Sequence, residues 1–355
     1  MKIAQIAPIE EVVPPRKYGG TETIVSHLTE ELVRRGHEVT LFASGDSTTK
    51  ANLVPLVPQA VRIVTQSIGQ EKVREAWKYL AIARLSEEIE KNKFDVIHQH
   101  FGWRVTPFEN SFNAPAVATC HIPLDPDYIQ LIYREYKHNN YISISDAQRK
   151  PMPKLNFVGT VYNGVDLSQF TYSPKGEDYF AFLGRMSLEK GPKQAILAAK
   201  KAGVKLKMAA KIDAVDVPYF KKEIEPLIDG KQIKYVGEVG PKERDSFLGG
   251  ARALLALIQW EEPFGLYFVE AMACGTPVIA VNRGSAPEVI QDRKTGFLVS
   301  KERGVDEAAA AIRKLEQIDR SACRTHVEQN FTVEKMVDGY EAVYAKLLER
   351  KKRQS

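Results

Sequence analysis

Two glutamates, Glu262 and Glu270, stand eight positions apart in one apolar segment of the chain. An apolar strand pattern over 253–258 precedes them. Pro263 is typical of a first helical turn and Gly275 of a helix end, so the sequence predicts a helix that opens at Pro263. Backbone N–H groups in a first helical turn have no partner within the helix, and they form a site for an anion.

The amides predicted to face this anion are those of Phe264, Gly265 and Leu266. Carboxylates beside them would accept hydrogen bonds from hydroxyls, which suits a ligand that carries both phosphate and hydroxyl groups, such as a nucleotide sugar. A solvated surface glutamate is the ordinary alternative for either acid. Glu270 argues against it, because a carboxylate among apolar helix residues needs a partner.

Two cations, Arg185 and Lys190, flank a turn that follows the apolar strand predicted over 179–183. Arginine can bind phosphate oxygens through two parallel hydrogen bonds, and lysine adds a point charge. Solvated surface cations are the alternative. Their position just beyond a buried strand favours a role in binding phosphate.

A glycine pair, Gly19-Gly20, lies with Thr21 between a strand predicted over 2–7 and a helix predicted over 22–35. Paired glycines let the backbone approach a ligand closely, and open α/β sheets bind ligands at this edge. A tight turn without a ligand is the alternative. Neither the dinucleotide fingerprint G-x-G-x-x-G nor the P-loop pattern occurs in the sequence.

Histidines follow two strands of the first half. His121 ends a strand predicted over 116–119, where a structural role is the ordinary interpretation of a lone histidine. His98 and His100 have a spacing seen in metal sites, but the sequence offers no evident third ligand. We therefore predict no metal site.

Strand and helix patterns alternate along both halves of the chain. The first half has strands over 2–7, 39–43, 95–98 and 116–119, and helices over 22–35 and 71–91. The second has strands over 179–183, 205–209, 233–236, 253–258 and from 278, and helices over 192–202, 217–228 and 242–249 besides the one at Pro263. This alternation predicts α/β domains with parallel sheets covered by helices.

A polar, turn-rich stretch separates the two series, and a length of 355 residues fits two domains. We predict one domain over 1–165, a second over 166–331, and a C-terminal amphipathic helix over 332–355.

Composition restricts the class of protein. Residues 1–170 carry 19 basic and 19 acidic residues, and residues 171–355 carry 31 and 26, so the excess lies where an anionic ligand is expected. That excess is too small to indicate nucleic acid binding. Three cysteines without metal-ligand spacing predict free thiols, and no apolar run approaches the roughly 18 residues of a membrane span. The prediction is a cytoplasmic protein, with peripheral contact to a membrane left open.

The ordered motifs resemble those of the retaining glycosyltransferases of family 4 over nearly the full length. The motifs are Tyr18-Gly-Gly-Thr21, His98-Gln-His100, Thr119-Cys-His121, Asn163-Gly-Val-Asp166, Gly184 to Gly191, the Glu262–Glu270 pair and Thr295 to Val299. The resemblance implies the GT-B architecture, an α/β fold in which two Rossmann-like parallel-sheet domains face across a cleft. The first domain would bind the acceptor and the second the nucleotide sugar, and the C-terminal helix would cross back to the first.

The resemblance also implies a role for each candidate residue. Glu262 would bind hydroxyls of the donor sugar, and Glu270 the ribose. Arg185 and Lys190 would neutralise the diphosphate together with the amides of 264–266. The remaining contacts would come from His121 near the anomeric carbon, from Gly19, Gly20 and Thr21 at the diphosphate, and from Gly237, Glu238 and Val239 at the base. Glu261, directly before Glu262, makes the sugar-binding acid ambiguous, and spacing favours Glu262.

The implied activity is transfer of a hexose from a nucleotide-diphosphate sugar to a hydroxyl acceptor, with retention and without metal or cofactor. UDP-glucose is the first guess for the donor and GDP-mannose the next. The acceptor is a saccharide, a lipid-linked molecule or a small molecule. Two other classes stay open: a catalytically silent nucleotide-sugar-binding regulator, and a dinucleotide-dependent oxidoreductase, which the missing glycine fingerprint disfavours.

Overall fold

The computed structural model describes residues 1–17, 19–64 and 70–354. Tyr18 of the glycine motif lies outside the described residues. The chain forms two compact units. Unit 1 comprises Met1–Gly164 together with Val333–Ser355, and unit 2 comprises Val165–Thr332.

Unit 1 contains a seven-stranded parallel sheet in the order β3-β2-β1-β4-β5-β6-β7. Its strands are β1 Lys2–Ile6, β2 Glu38–Ser44, β3 Asn52–Val57, β4 Val96–Gln99, β5 Ala116–Cys120, β6 Tyr141–Ser143 and β7 Phe157–Thr160. The central strands are buried on both faces, as in sheets covered by helices on two sides. The strand order reverses between β1 and β4, so the carboxyl ends of these strands form a topological switch point.

The helices of unit 1 include the last one of the chain. They are α1 Gly20–Arg34, α2 Val61–Val64, α3 Glu71–Lys91, α4 Asp127–Glu135 and the C-terminal helix Val333–Gln354. The C-terminal helix buries Val337, Tyr340 and Tyr344 in this unit. Arg35, at the end of α1, donates to Glu341 at 2.5 Å and to Asp338 at 2.8 Å, and these ion pairs tie the helix to α1.

Unit 2 contains a six-stranded parallel sheet in the order β10-β9-β8-β11-β12-β13. Its strands are β8 Phe180–Arg185, β9 Leu206–Lys211, β10 Ile233–Gly237, β11 Leu254–Ala256, β12 Val278–Val281 and β13 Gly296–Val299. Its helices are α5 Pro192–Ala202, α6 Val217–Tyr219, α7 Pro241–Gly249, α8 Leu266–Ala273, α9 Ala286–Val289, α10 Gly304–Ile312 and α11 Arg320–Asn330. The order reverses between β8 and β11, which creates a second switch point.

Two predicted helices of unit 2 are wrong in extent. The helix predicted over 217–228 is only α6, followed by a π turn at Phe220–Ile224 and a 3-10 turn at Glu225–Leu227. Pro226 has no N–H to continue an α-helical ladder. The helix predicted to open at Pro263 begins at Leu266, because Gly265 before it has a φ of 76°, outside the helical region.

No helix in the described part of the chain is both long enough and apolar enough to cross a membrane.

Candidate functional site

The switch point of unit 2 brings the end of β8 beside the end of β11. Arg185 is the last residue of β8, and the short 3-10 turn Leu188–Lys190 follows. Gly191 then adopts a φ of 69°, and a Cβ there would lie 1.9 Å from the carbonyl oxygen of Leu257. Only glycine therefore lets this turn pack against the chain that leaves β11. This packing places Lys190 beside Glu262, the predicted sugar-binding acid.

Glu262 is buried and its carboxylate is held through one oxygen. Oε2 accepts hydrogen bonds from Nζ of Lys190 at 2.5 Å, Nε1 of Trp260 at 3.2 Å and the hydroxyl of Tyr267 at 3.3 Å. The Lys190 ammonium lies 4.8 Å from the ring centroid of Trp260 and 5.1 Å from that of Tyr267, within cation–π range. Within the described residues, Oε1 accepts no hydrogen bond. One oxygen is thus locked in place while the other is available to hydroxyl donors of a ligand.

The neighbouring acid, Glu261, has different partners. Its side chain is exposed, and it accepts from Nη2 of Arg283 at 3.0 Å and from the backbone N–H of Gly284 at 2.7 Å. Glu261 therefore fixes a surface loop, and Glu262 is the acid that lies beside a buried cation. This geometry favours Glu262 over Glu261 as the candidate.

Arg185, the other predicted cation, forms an ion pair with Glu189 and lies 4.0 Å from Asp213. Burial raises the pKa of nearby Asp216, while Arg185 opposes that rise. Each candidate cation thus carries its own carboxylate, Arg185 with Glu189 and Lys190 with Glu262. An anionic ligand at this switch point has to compete with these carboxylates for the cations.

Glu270 is buried on α8, and its partner is Arg244 of α7. Nη1 of Arg244 donates to Oε1 of Glu270 at 2.6 Å. Sequence reasoning required a partner for Glu270 but missed Arg244. The sequence indicated only that Glu270 needs a cation. It does not show which residue of another helix packs against Glu270.

The later helix start changes the predicted set of anion-binding amides. Gly265 and Leu266 lie at the start of α8, whereas the N–H of Phe264 precedes it. The buried ring of Phe264 packs edge-on against Phe331, with ring centroids 6.0 Å apart. The predicted base-binding residues lie at the end of β10: Gly237 is its last residue, and Glu238 and Val239 follow.

In unit 1, His121 directly follows β5 and contacts His100, which directly follows β4. Its Nε2 lies 2.8 Å from Nδ1 of His100, and Nε2 of His100 lies 2.8 Å from Oε1 of Gln5. Burial lowers the pKa of His121 to about 3 and holds the pKa values of His98 and His100 well below the usual range. All three imidazoles are therefore neutral at neutral pH.

The glycine pair of unit 1 lies at the start of α1. Gly19 precedes the helix, Gly20 is its first residue and Thr21 its second. The next residue, Glu22, is buried, and burial raises the pKa of its carboxyl group to about 7. Sequence reasoning passed over Glu22, although an acid in the first turn beside a glycine pair was a visible signal.

Among the described residues, no group of three or more histidine, cysteine, aspartate or glutamate side chains could hold a metal ion.

Two protein-family models match consecutive parts of the chain. "Glycosyltransferase Family 4" matches residues 18–169, and "Glycosyl transferases group 1" matches residues 166–330. The chain belongs to the family 4 glycosyltransferases. The family assignment made from the sequence motifs is confirmed.

Two curated relatives are similar to this glycosyltransferase along most of their length. One is the N-acetyl-alpha-D-glucosaminyl L-malate synthase of Bacillus anthracis, 25% identical over 93% of this chain and 94% of that protein. The other is the phosphatidyl-myo-inositol mannosyltransferase of Mycolicibacterium smegmatis, 27% identical over 89% of this chain and 85% of that protein.

Among solved structures, Anabaena Alr3699/HepE in complex with UDP-glucose superposes with a TM-score of 0.73 and 17% identity, covering 98% of this chain and 99% of that one. The prediction of a GT-B α/β fold with two Rossmann-like parallel-sheet domains is confirmed. The prediction of a hexosyltransferase that uses a nucleotide sugar is confirmed as well.

Proposed function

We propose that this glycosyltransferase transfers glucose from UDP-glucose to a hydroxyl acceptor, with retention of configuration and without a metal ion. The observation that carries the proposal is the Lys190–Glu262 arrangement. It sets a cation suited to the diphosphate beside a carboxylate whose second oxygen is open to sugar hydroxyls. The acceptor is a saccharide, a lipid-linked molecule or a small molecule, and a peripheral membrane location would fit the second of these.

The choice of donor rests on the relatives. The Anabaena structure of the same fold is a complex with UDP-glucose, which supports a UDP-sugar. The Mycolicibacterium relative is named a mannosyltransferase, so GDP-mannose is the second candidate donor.

Charge development explains the proposed roles in unit 2. As the glycosidic bond breaks, negative charge grows on the diphosphate, and preorganised cations stabilise it. Arg185 and Lys190 are those cations, and the N–H groups of Gly265 and Leu266 at the start of α8 add a favourable dipole. These groups stabilise the negative charge that a divalent metal stabilises in other transferases.

Glu262 holds hydroxyls of the sugar through its open oxygen, and Glu270 holds the ribose through the oxygen that Arg244 leaves available. The backbone around Gly237, Glu238 and Val239 borders the base. Arg244 thereby joins the proposed site as the residue that orients Glu270 and neutralises its charge.

From unit 1 we assign His121 to a sugar hydroxyl, and Gly19, Gly20 and Thr21 to the diphosphate. The acceptor hydroxyl attacks from the face that the diphosphate leaves, and its proton passes to a departing phosphate oxygen. No side-chain base is assigned. Neither glutamate of unit 2 acts as a nucleophile.

The test needs no knowledge of the acceptor, because water can replace it. Hydrolysis of UDP-, GDP- and ADP-sugars is followed by proton NMR in the presence of EDTA. We expect UDP-glucose to be cleaved fastest and α-glucose to form before mutarotation. Initial β-glucose would overturn retention, loss of activity restored by Mg²⁺ would overturn metal independence, and preference for GDP-mannose would overturn the donor.

One substitution tests whether Glu262 takes part in catalysis. If wild-type protein and the Glu262→Ala variant gave the same rate of donor cleavage, the catalytic role of this site would be refuted.

A further inference from the structure

A continuous chain of hydrogen bonds connects His121 with the C-terminal helix inside unit 1. From His121 it runs through His100, Gln5, Tyr344, His98 and Thr119 to Tyr340, with successive distances of 2.8, 2.8, 3.0, 2.6, 2.7 and 3.4 Å. His121 is half-buried, and every other member is buried. The chain thus links a strand end at the candidate site with two tyrosines of the last helix.

The hydrogens that each group carries restrict the direction of the hydrogen bonds along this chain. A neutral imidazole carries one N–H and one bare nitrogen, and a glutamine side chain offers a carbonyl on one side and an amide on the other. Each contact needs one hydrogen. Between Gln5 and His121, the orientation of the Gln5 amide therefore fixes the direction of every hydrogen bond.

The contact between Gln5 and Tyr344 sets this orientation. Nε2 of Gln5 donates to the hydroxyl of Tyr344 at 3.0 Å. The phenol therefore accepts from Gln5 and holds the amide in this orientation. The carbonyl of Gln5 then faces His100, which donates from Nε2 and accepts at Nδ1.

We propose that Tyr344 is a positioning residue that fixes the tautomer of His121, with the proton on Nε2 and a bare Nδ1. The Nε2–H donates to His100, which has no hydrogen on the facing nitrogen. In the part of the chain that the structure describes, no group hydrogen-bonds to Nδ1 of His121. This nitrogen therefore accepts from a hydroxyl or amine of a ligand and disfavours phosphate, carboxylate and carbonyl oxygens.

The C-terminal helix is held firmly enough for this role. Glu341, three residues before Tyr344, accepts from Arg35 at 2.5 Å and lies 2.6 Å from Nε2 of His37. Both partners lie just beyond the last turn of α1. These contacts hold the phenol of Tyr344 in position against the sheet, between Gln5 of β1 and His98 of β4.

Nitrogen-15 NMR of histidine-labelled protein measures the tautomer directly, with the His121 signals assigned from the His121→Gln variant. In the wild type we expect a protonated Nε2 and a bare Nδ1 on His121. In Tyr344→Phe the chain is cut, and we expect the His121 signals to shift toward the other tautomer or an average of the two.

The matched control is Tyr141→Phe, which removes another buried hydroxyl of unit 1 that donates to the carbonyl of Tyr136 at 2.8 Å, outside the chain. It should leave the His121 signals unchanged. A proton on Nδ1 in the wild type would overturn the proposal. So would a Tyr344→Phe protein with wild-type signals, and the wild-type measurement decides alone if that variant does not fold.

The consequence for sugar transfer rests on the proposed function. We expect Tyr344→Phe to raise KM for the donor sugar about tenfold, the loss of roughly one hydrogen bond, while UDP affinity stays unchanged. Equal KM values in Tyr344→Phe and Tyr141→Phe would refute the positioning role. A wild-type protein without any transfer would refute the proposed function, yet the NMR result on the tautomer would still stand.

Discussion

The candidate residues of the two units solve the same problem with different chemistry. Unit 1 presents His121 at the end of a chain of neutral side chains. Unit 2 presents glutamates already paired with Lys190 and Arg244. A neutral chain fixes the direction of hydrogen bonds, which distinguishes a hydroxyl from an anion. Ion pairs instead hold charged side chains in position, and a charged ligand then binds to these side chains.

The largest effect should come from removing the carboxylate of unit 2 that we propose to bind the sugar. In Glu262→Gln, the amide loses the ion pair with Lys190 and places a donor where hydroxyls are to be accepted. We expect kcat for sugar transfer to fall about 10²–10³-fold, the cost of losing one preorganised polar contact. Glu261→Gln is the matched control and should stay within about threefold, since Glu261 pairs with Arg283. Equal losses in both variants would contradict the assignment.

The second effect concerns the buried pair of unit 2. Arg244→Met leaves the buried carboxylate of Glu270 without its cation. Because Arg244 is partly exposed, we expect a loss of about 2–4 kcal/mol in the free energy of unfolding. The double variant with Arg244→Met and Glu270→Leu should regain much of this free energy of unfolding, because no unpaired buried charge then remains. A single variant as stable as the wild type in chemical denaturation would show that the pair is not needed.

Unit 1 should respond to pH rather than to the removal of charge. Folded Glu22 keeps its proton up to about pH 7, whereas an unfolded glutamate loses it near pH 4.5. Stability should therefore fall as the pH rises from about 4.5 to about 7. Glu22→Gln should remove this dependence and gain up to about 3 kcal/mol above pH 7, with no gain below pH 4.5. Denaturation at both pH values checks this, and a gain that does not change with pH would exclude titration of Glu22.

The smallest effects concern Arg185. Arg185→Ala should weaken binding of free nucleoside diphosphate by about 1–3 kcal/mol, the range for charged hydrogen bonds. Glu189→Gln removes the competing carboxylate and should strengthen binding by less than about 1 kcal/mol. Calorimetry measures both. Unchanged affinity in Arg185→Ala, or weaker binding in Glu189→Gln, would refute competition for this cation.

Local signals in the sequence predicted the fold and named candidate residues at the switch points of both units. Apolar periodicity located Glu71–Lys91 and Pro192–Ala202 to the residue, because each helix buries one face and is bounded by turn or capping residues. The same reasoning failed over 217–228. The apolar pattern continues there, but Pro226 cannot continue an α-helix. The same reasoning also missed four short strands, β3, β6, β7 and β13, which are only three to six residues long.

The side-chain partners of the candidate residues could not be predicted from the sequence in the same way. Arg244 reaches Glu270 from another helix, and Tyr344 reaches His98 from the far end of the chain. Such contacts depend on how elements pack, and no spacing along the sequence encodes them. The contacts of Trp260 and Tyr267 with Lys190 were missed for the same reason.

The central claim is that unit 2 binds the diphosphate with cations and the sugar with Glu262. Calorimetry of UDP-glucose and of UDP, with wild-type protein and Glu262→Gln, separates the two contributions. The account predicts that the variant binds UDP at least as tightly as the wild type, because Lys190 loses a competing carboxylate, but loses the additional affinity for UDP-glucose. Equal weakening of both ligands would contradict it, because Glu262 would then act on the nucleotide rather than on the sugar.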